Sequence, residues 1–427
     1  MEDIKTANQV DSGAEYWKSL TEFPGLGRKL RITVALPNQG GCAYYRNILP
    51  YTKLAELYPN VVEVKFDENI LGINVKATQK DKNPWLPNWE WETMRWADIV
   101  VTNNISNFGG AYTARMCGKT KEFGKLFHYD TDDLLTQLFD KHRLAGVYKE
   151  GLSDLTKFIY QNSDIITVTQ KKFQQRIAPF LGNGLLAVVK NCIDYNLPNW
   201  KLDKTKVPKG RFVRVGWAGG IHHEEDVKEF AAIPHLVNQK VGMENVRWDF
   251  YGKPPVSPDD EKEKWQLDVW KNYEKVLAQG FGPRRNYTIN WAMPSDSYGA
   301  MYANMEIAIA PLQMNDFNDS KSDIKVAECV AYGVPLIASD VGAYNETIIN
   351  GKTGFLIPPG APKSEWVRAL SSVIKNRDLR EEMGKNIASL RDLYDANKVI
   401  HNRLDLYKSF LEWKKNDPTI QHNNPAL

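Results

Sequence analysis

The residues best suited to chemistry lie in SDIKVAECVAYGVPLIASD, residues 322–340. Lys325 and Glu328 are three positions apart, so a helix puts them on one face. As an exposed ion pair they would add little to stability. As ligands they read differently. A lysine near a helix N-terminus suits a diphosphate. A glutamate one turn deeper can accept two hydrogen bonds from a ribose cis-diol. Ser322 or Asp323 is placed to cap this helix. Gly333 stands where a helix ends in a left-handed residue, and Pro335 prevents continuation.

Three further clusters sit where predicted strands end. Gly40 and Gly41 follow the first strand and open a helix over residues 43–58, which lets backbone approach a ligand. FHYDTDD, residues 127–133, brings Asp130, Asp132 and Asp133 to one strand end. A cap needs one carboxylate, whereas three can bind sugar hydroxyls or activate an acceptor hydroxyl. GWAGGIHHEED, residues 216–226, carries Gly219 and Gly220, which can pass close to a diphosphate, and His222 beside a phosphate or sugar hydroxyl. His222 and His223 are adjacent, which does not suit a zinc site. Two GKT triplets, at residues 118–120 and 351–353, lack the earlier glycine of a phosphate loop.

Alternating strands and helices must position these clusters. Apolar runs at residues 30–36, 61–66, 98–101, 126–129, 165–168 and 185–190 read as strands of one parallel sheet. A second series lies at residues 212–217, 246–251, 287–291, 307–310, 335–338 and 354–357. Residues 196–211 read as a linker, residues 253–264 as a solvated insertion, and residues 366–413 as helical throughout. The expected architecture is α/β: two doubly wound domains, at residues 1–200 and 201–399. A C-terminal helix over residues 400–418 is expected to pack back on the first domain. Such halves would face one another across a cleft at the carboxyl ends of their strands.

Composition narrows the function. The chain has 427 residues, 42% hydrophobic and 25% charged, with a formal net charge of +3. Neither half is a basic nucleic-acid arm. The four cysteines form no CxxC pair, and the polar N-terminus has no signal-peptide pattern; a cytoplasmic protein is expected.

The succession of glycine turn, GWAGG turn, Lys325/Glu328 and GVPLIASDVGAYNETIINGKTGFLIPP resembles the GT-B glycosyltransferases, specifically the retaining glycosyltransferase 4 type. The resemblance covers roughly residues 30–415 and is strongest over residues 307–359. Tyr44-Tyr45-Arg46 and the Asp130–Asp133 cluster look like a bacterial and phage subgroup. The resemblance implies two Rossmann-like domains and transfer of a sugar from a nucleoside diphosphate to a hydroxyl with retention. Glu328 then matches the ribose-binding glutamate. Lys321, Ser322, Lys325, Gly219, Gly220, Gly40, Gly41 and Arg284 fall to the sugar diphosphate, and Met293 lies where backbone reads the nucleobase. Asp130, Asp132 and His222 are the candidates for catalysis; Arg46, Asn103 and Asp133 are those for the acceptor. No cofactor beyond the nucleotide-sugar substrate is implied, and a divalent metal is not expected to be essential. The family's second glutamate, eight positions before the ribose-binding one, is here Ser320. A carbohydrate acceptor leads. The alternatives are a hydroxylated DNA base as acceptor, or a sugar-nucleotide-binding protein without catalysis.

Overall fold

The computed structural model describes residues 7–36, 40–67, 91–103, 110–142, 145, 151, 153–207, 210–257, 259, 264–281 and 285–416. Its chain forms two compact units. The first comprises Met1–Leu138, Gly146–Asp194 and Asp392–Leu427; the second comprises Phe139–Ala145 and Tyr195–Arg391.

Each unit is built on a six-stranded parallel sheet. The strands of the first are β1 (Leu30–Ala35), β2 (Val62–Asp67), β3 (Ile99–Asn103), β4 (Leu126–Asp130), β5 (Ile165–Val168) and β6 (Leu185–Val188). Their order is β2-β1-β3-β4-β5-β6. Every residue of β3, β4 and β5 is buried, which explains their unbroken apolar runs: both faces are covered, so no face selects polar residues. The second sheet contains β7 (Val213–Ala218), β8 (Val246–Lys253), β9 (Tyr287–Trp291), β10 (Ile307–Ala310), β11 (Leu336–Ser339) and β12 (Gly354–Ile357). Its order is β12-β11-β10-β7-β8-β9. The order reverses between β1 and β3 in one sheet and between β7 and β10 in the other. In such sheets ligands bind beyond the carboxyl ends of the strands flanking the reversal.

The returning C-terminal segment completes the first unit. Ala396, Ile400, Leu404, Tyr407, Phe410 and Leu411 join the core that holds Leu30, Ile32, Val34, Tyr51 and Leu54. Leu404 and Tyr407 are fully buried, and burying a side chain of that size contributes about 1.5–3 kcal/mol. Trp17 Nε1 donates to Asp405 at 2.8 Å, joining this segment to the first helix, Ala7–Ser19.

Two sequence expectations are corrected. The 196–211 stretch is not a bare linker, because Pro198–Trp200 forms a 3₁₀ turn with Trp200 buried. Tyr332 Oη donates to the Asn199 carbonyl at 2.6 Å, fastening the turn to the second unit. Nor is the C-terminal segment one helical run. It is divided into Lys363–Lys375, Arg377–Ala388, Arg391–Leu393, Ala396–Val399 and Asn402–Asn416. The divisions are chemical: Asn376 and Asp395 turn their side chains onto backbone N–H groups and start new helices.

Candidate active site

The second unit gathers most of the expected donor-side residues. Helix Ile324–Val330 carries Lys325 and Glu328 beyond the end of β10. Asp323 does not cap it through its side chain, contrary to expectation; its carboxylate accepts from Thr347 Oγ1 at 2.6 Å. That bond ties the helix start to helix Tyr344–Thr347. Gly333 has the left-handed φ of 59° expected where the helix ends.

Glu328 is 1% exposed. Lys325 Nζ lies 2.8 Å from its Oε2, and Tyr302 Oη donates to the same oxygen. Lys325 Nζ also donates to Tyr298 Oη at 2.8 Å. Burial disfavours the Lys325 charge, but Glu328 and Tyr298 more than offset it, so its pKa is raised and the ammonium persists.

Lys321 Nζ lies 4.7 Å from the centre of the Phe317 ring, and Ser322 is half-buried beside it. Ser320 is wholly buried at the end of the Asn318–Ser320 turn, and its hydroxyl donates to the Asp316 carbonyl at 2.8 Å. Asp319 is buried too and accepts from Gly342 N–H at 3.1 Å.

After β7, an added Cβ at Gly219 would meet the Trp217 ring at 2.3 Å, whereas one at Gly220 meets nothing within 4 Å. His222 is exposed and stacks on buried His142 with centroids 5.4 Å apart and planes 10° apart. His223 Nδ1 lies 2.8 Å from Asp226 Oδ2, while Asp226 Oδ1 accepts from Gln313 N–H at 2.7 Å. Burial and Lys321 depress the His223 pKa, outweighing Asp226. Met293 is half-buried just past β9. Arg284 lies outside the described residues.

In the first unit the expected residues divide between a buried core and a more open edge. Gly40 and Gly41 open a short helix at Gly41–Ala43, and space around the Gly41 Cα is open. The chain then forms a π-helical turn, Tyr44–Ile48, which the sequence did not suggest. That turn carries Arg46 inward to zero exposure. Arg46 Nε donates to Asp130 Oδ1 at 2.8 Å, and its Nη1 donates to the Val189 carbonyl at 2.6 Å. Arg403, from the C-terminal helix, donates to Asp130 Oδ2 at 2.9 Å. Burial alone would raise the Asp130 pKa, but the two guanidiniums pull it below the usual carboxylate range.

Behind this cluster His128 meets Tyr407 Oη through Nδ1 and Thr167 Oγ1 through Nε2, both at 2.8 Å. Burial lowers its pKa to about 3, so it is neutral. Asn103, paired in register with Asp130 across β3 and β4, is 1% exposed. Asp132 and Asp133 remain half-buried. Their carboxylates and the Cys42 thiol lie within 4.8 Å of one another, the group among the described residues able to hold a metal ion. Burial, then Asp133, pushes the Asp132 pKa up to about 7, against the pull of Arg46.

Tyr298, Tyr302, His142 and Arg403 were not anticipated. Tyr302 is 26 positions from Glu328, and Arg403 is 273 from Asp130, so no local spacing signals either contact.

Residues 267–389 match the sequence profile of the family described as Glycosyl transferases group 1. The alpha-D-kanosaminyltransferase of Streptomyces kanamyceticus is 28% identical over 139 residues, 33% of this chain and 31% of that protein. The chain spans less than half the length of the curated relatives it matches. Among solved structures, a sucrose-phosphate synthase from Thermosynechococcus elongatus aligns with a TM-score of 0.62 at 13% identity, covering 90% of this chain and 100% of that one. HepE of Anabaena, solved in complex with UDP-glucose, aligns with a TM-score of 0.61 at 13% identity, covering 89% and 99%. The chain therefore carries a glycosyl transferases group 1 domain and has the GT-B fold of two Rossmann-like units.

Proposed function

We propose that the chain is a glycosyltransferase that moves a sugar from a nucleoside-diphosphate sugar to a carbohydrate hydroxyl, with anomeric configuration retained. The observation that carries this reading is the buried Lys325–Glu328 pair inside the matched segment. Glu328 would accept from the ribose hydroxyls. Lys325, Lys321, Ser322 and the backbone at Gly219 and Gly220 would hold the diphosphate, with His222 at its sugar end.

The sugar's anomeric carbon exchanges its bond to the diphosphate oxygen for one to the acceptor oxygen, and the acceptor proton leaves with the base that receives it. The chief demand is stabilising the departing diphosphate and an oxocarbenium-like sugar. Fixed cations and backbone N–H groups meet that demand, so a divalent metal is not required. Asp132, Asp133 and Asn103 are assigned to the acceptor hydroxyl. Asp130 and Arg46, wholly engaged in the buried cluster, are assigned to positioning that strand end rather than to touching substrate. The UDP-glucose complex of HepE supports a nucleotide-sugar donor.

The test is product analysis. Incubation with UDP-glucose, UDP-N-acetylglucosamine, GDP-mannose and ADP-glucose, each with a panel of mono- and disaccharides, should yield a glycoside from one donor. Proton NMR of that product should show the donor's anomeric configuration. An inverted product contradicts retention, and no product with any pair contradicts the transferase reading.

A further inference from the structure

Lys325 and Glu328 are held by two tyrosines. Tyr302, 1% exposed at helix Ala300–Ala303, directs its hydroxyl to Glu328 Oε2. Tyr298 precedes that helix and accepts from Lys325 Nζ at 2.8 Å. Nζ lies beyond the phenol oxygen, 5.3 Å from the ring centroid. Burial, then Glu328, raises both phenol pKa values, so each hydroxyl keeps its proton near neutrality.

This geometry divides the labour. A carboxylate whose other oxygen must accept from a ribose cis-diol has to be fixed in rotation, because hydrogen bonding to that oxygen is directional. Tyr302 and Lys325 converge on one Glu328 oxygen and thereby fix the carboxylate plane. An ammonium has three donors. Glu328 and Tyr298 take two of those on Lys325, which sets the direction of the third.

We infer that Tyr302 and Tyr298 are positioning residues for the donor: Tyr302 sets recognition of the ribose through Glu328, and Tyr298 sets retention of the diphosphate through Lys325. The inference rests on the proposed donor reading and goes beyond it by assigning each tyrosine a separate ligand group.

Calorimetry on the full chain with UDP, 2′-deoxy-UDP and UMP tests it; if UDP does not bind, the guanosine and adenosine series replace it. Tyr302→Phe should lower affinity for the ribonucleoside diphosphate about tenfold and that for its 2′-deoxy form by no more than about twofold. Its diphosphate-to-monophosphate ratio should stay unchanged. Tyr298→Phe should do the reverse, cutting the diphosphate-to-monophosphate ratio about fivefold with the ribose-to-deoxyribose ratio unchanged. Equal losses for all three probes in both variants would reduce the tyrosines to packing and overturn the inference. If Tyr302→Phe does not fold, an unchanged diphosphate-to-monophosphate ratio in Tyr298→Phe overturns it alone. Wild-type protein that binds none of the nucleoside diphosphates overturns the donor reading itself, a distinct result that removes this inference with it.

Discussion

Lys325 Nζ and Glu328 Oε2 are 2.8 Å apart with the glutamate 1% exposed. An exposed pair at this spacing is a minor helix contact. A buried one must recover the desolvation of both charges, and an apolar pair of the same volume is often as stable. The pair therefore calls for an explanation other than stability. A donor site supplies one, because it needs a fixed carboxylate beside a fixed cation.

Breaking the pair should cost more than losing a surface contact. Glu328→Ala leaves the Lys325 ammonium without its main partner and should destabilise the chain by about 3 kcal/mol. Replacing both, as Lys325→Met with Glu328→Leu, should recover only part of that loss, because the buried Tyr302 hydroxyl then loses its carboxylate acceptor. Urea unfolding followed by fluorescence measures both. A neutral Glu328→Ala would contradict the burial described.

The two glycines after β7 should behave oppositely. Gly219→Ala forces a Cβ into the Trp217 ring at 2.3 Å and should lower stability by about 1–3 kcal/mol. Gly220→Ala enters open space at a φ of −86°, so its stability should be unchanged. If the diphosphate fills that space, its donor KM should rise about tenfold. Melting temperatures and KM values together separate the outcomes, and a Gly220→Ala enzyme with normal KM removes the diphosphate from this turn.

Asp132 gives a pH signature. Its folded pKa of about 7 lies above the ordinary carboxylate value, so the folded state binds the proton more tightly than the unfolded state. Its ionisation therefore costs nothing at pH values below the unfolded pKa. The cost grows as pH rises and levels off above about 7. Asp132→Asn should gain stability progressively between about pH 4 and 7 relative to wild type, with a constant difference above. If Asp132 is the base, the rising limb of kcat/KM near pH 7 should vanish in the same variant. Thermal melts and initial rates across pH 4–9 provide the check.

Arg403 should matter to the first unit although it is distant in sequence from every motif. Arg403→Met leaves Asp130 with Arg46 alone in a wholly buried setting and should cost about 3 kcal/mol. Tyr407→Phe, which removes one hydroxyl from the His128 contact, should cost about 1 kcal/mol. Chemical denaturation reads both, and equal small effects would contradict the buried cluster.

The sheet was legible because its physics is local. A strand covered on both faces is an apolar run, and all twelve runs lie on β1 to β12. Gly333 was legible for the same reason, since a helix end needs a left-handed residue. The polar interior was not legible. Asp130 looked like one of three equivalent carboxylates until Arg403 arrived from the far end of the chain. Asp323 looked like a cap until Thr347 took its carboxylate. The π turn at Tyr44–Ile48 has no composition signature, yet it carries Arg46 into the core. Ser320 is equally telling. Its hydroxyl closes a buried turn, so a glutamate introduced there would bring a charge into a space sized for serine.

The central claim is that Glu328 and Lys325 bind a nucleoside diphosphate. Thermal unfolding of wild type and Glu328→Gln with UDP, GDP and ADP tests it most directly. One nucleotide at one hundred times its Kd should stabilise the wild type by about 2.7 kcal/mol, and the variant far less at the same concentration. Equal stabilisation of both proteins, or none of either, would contradict the account.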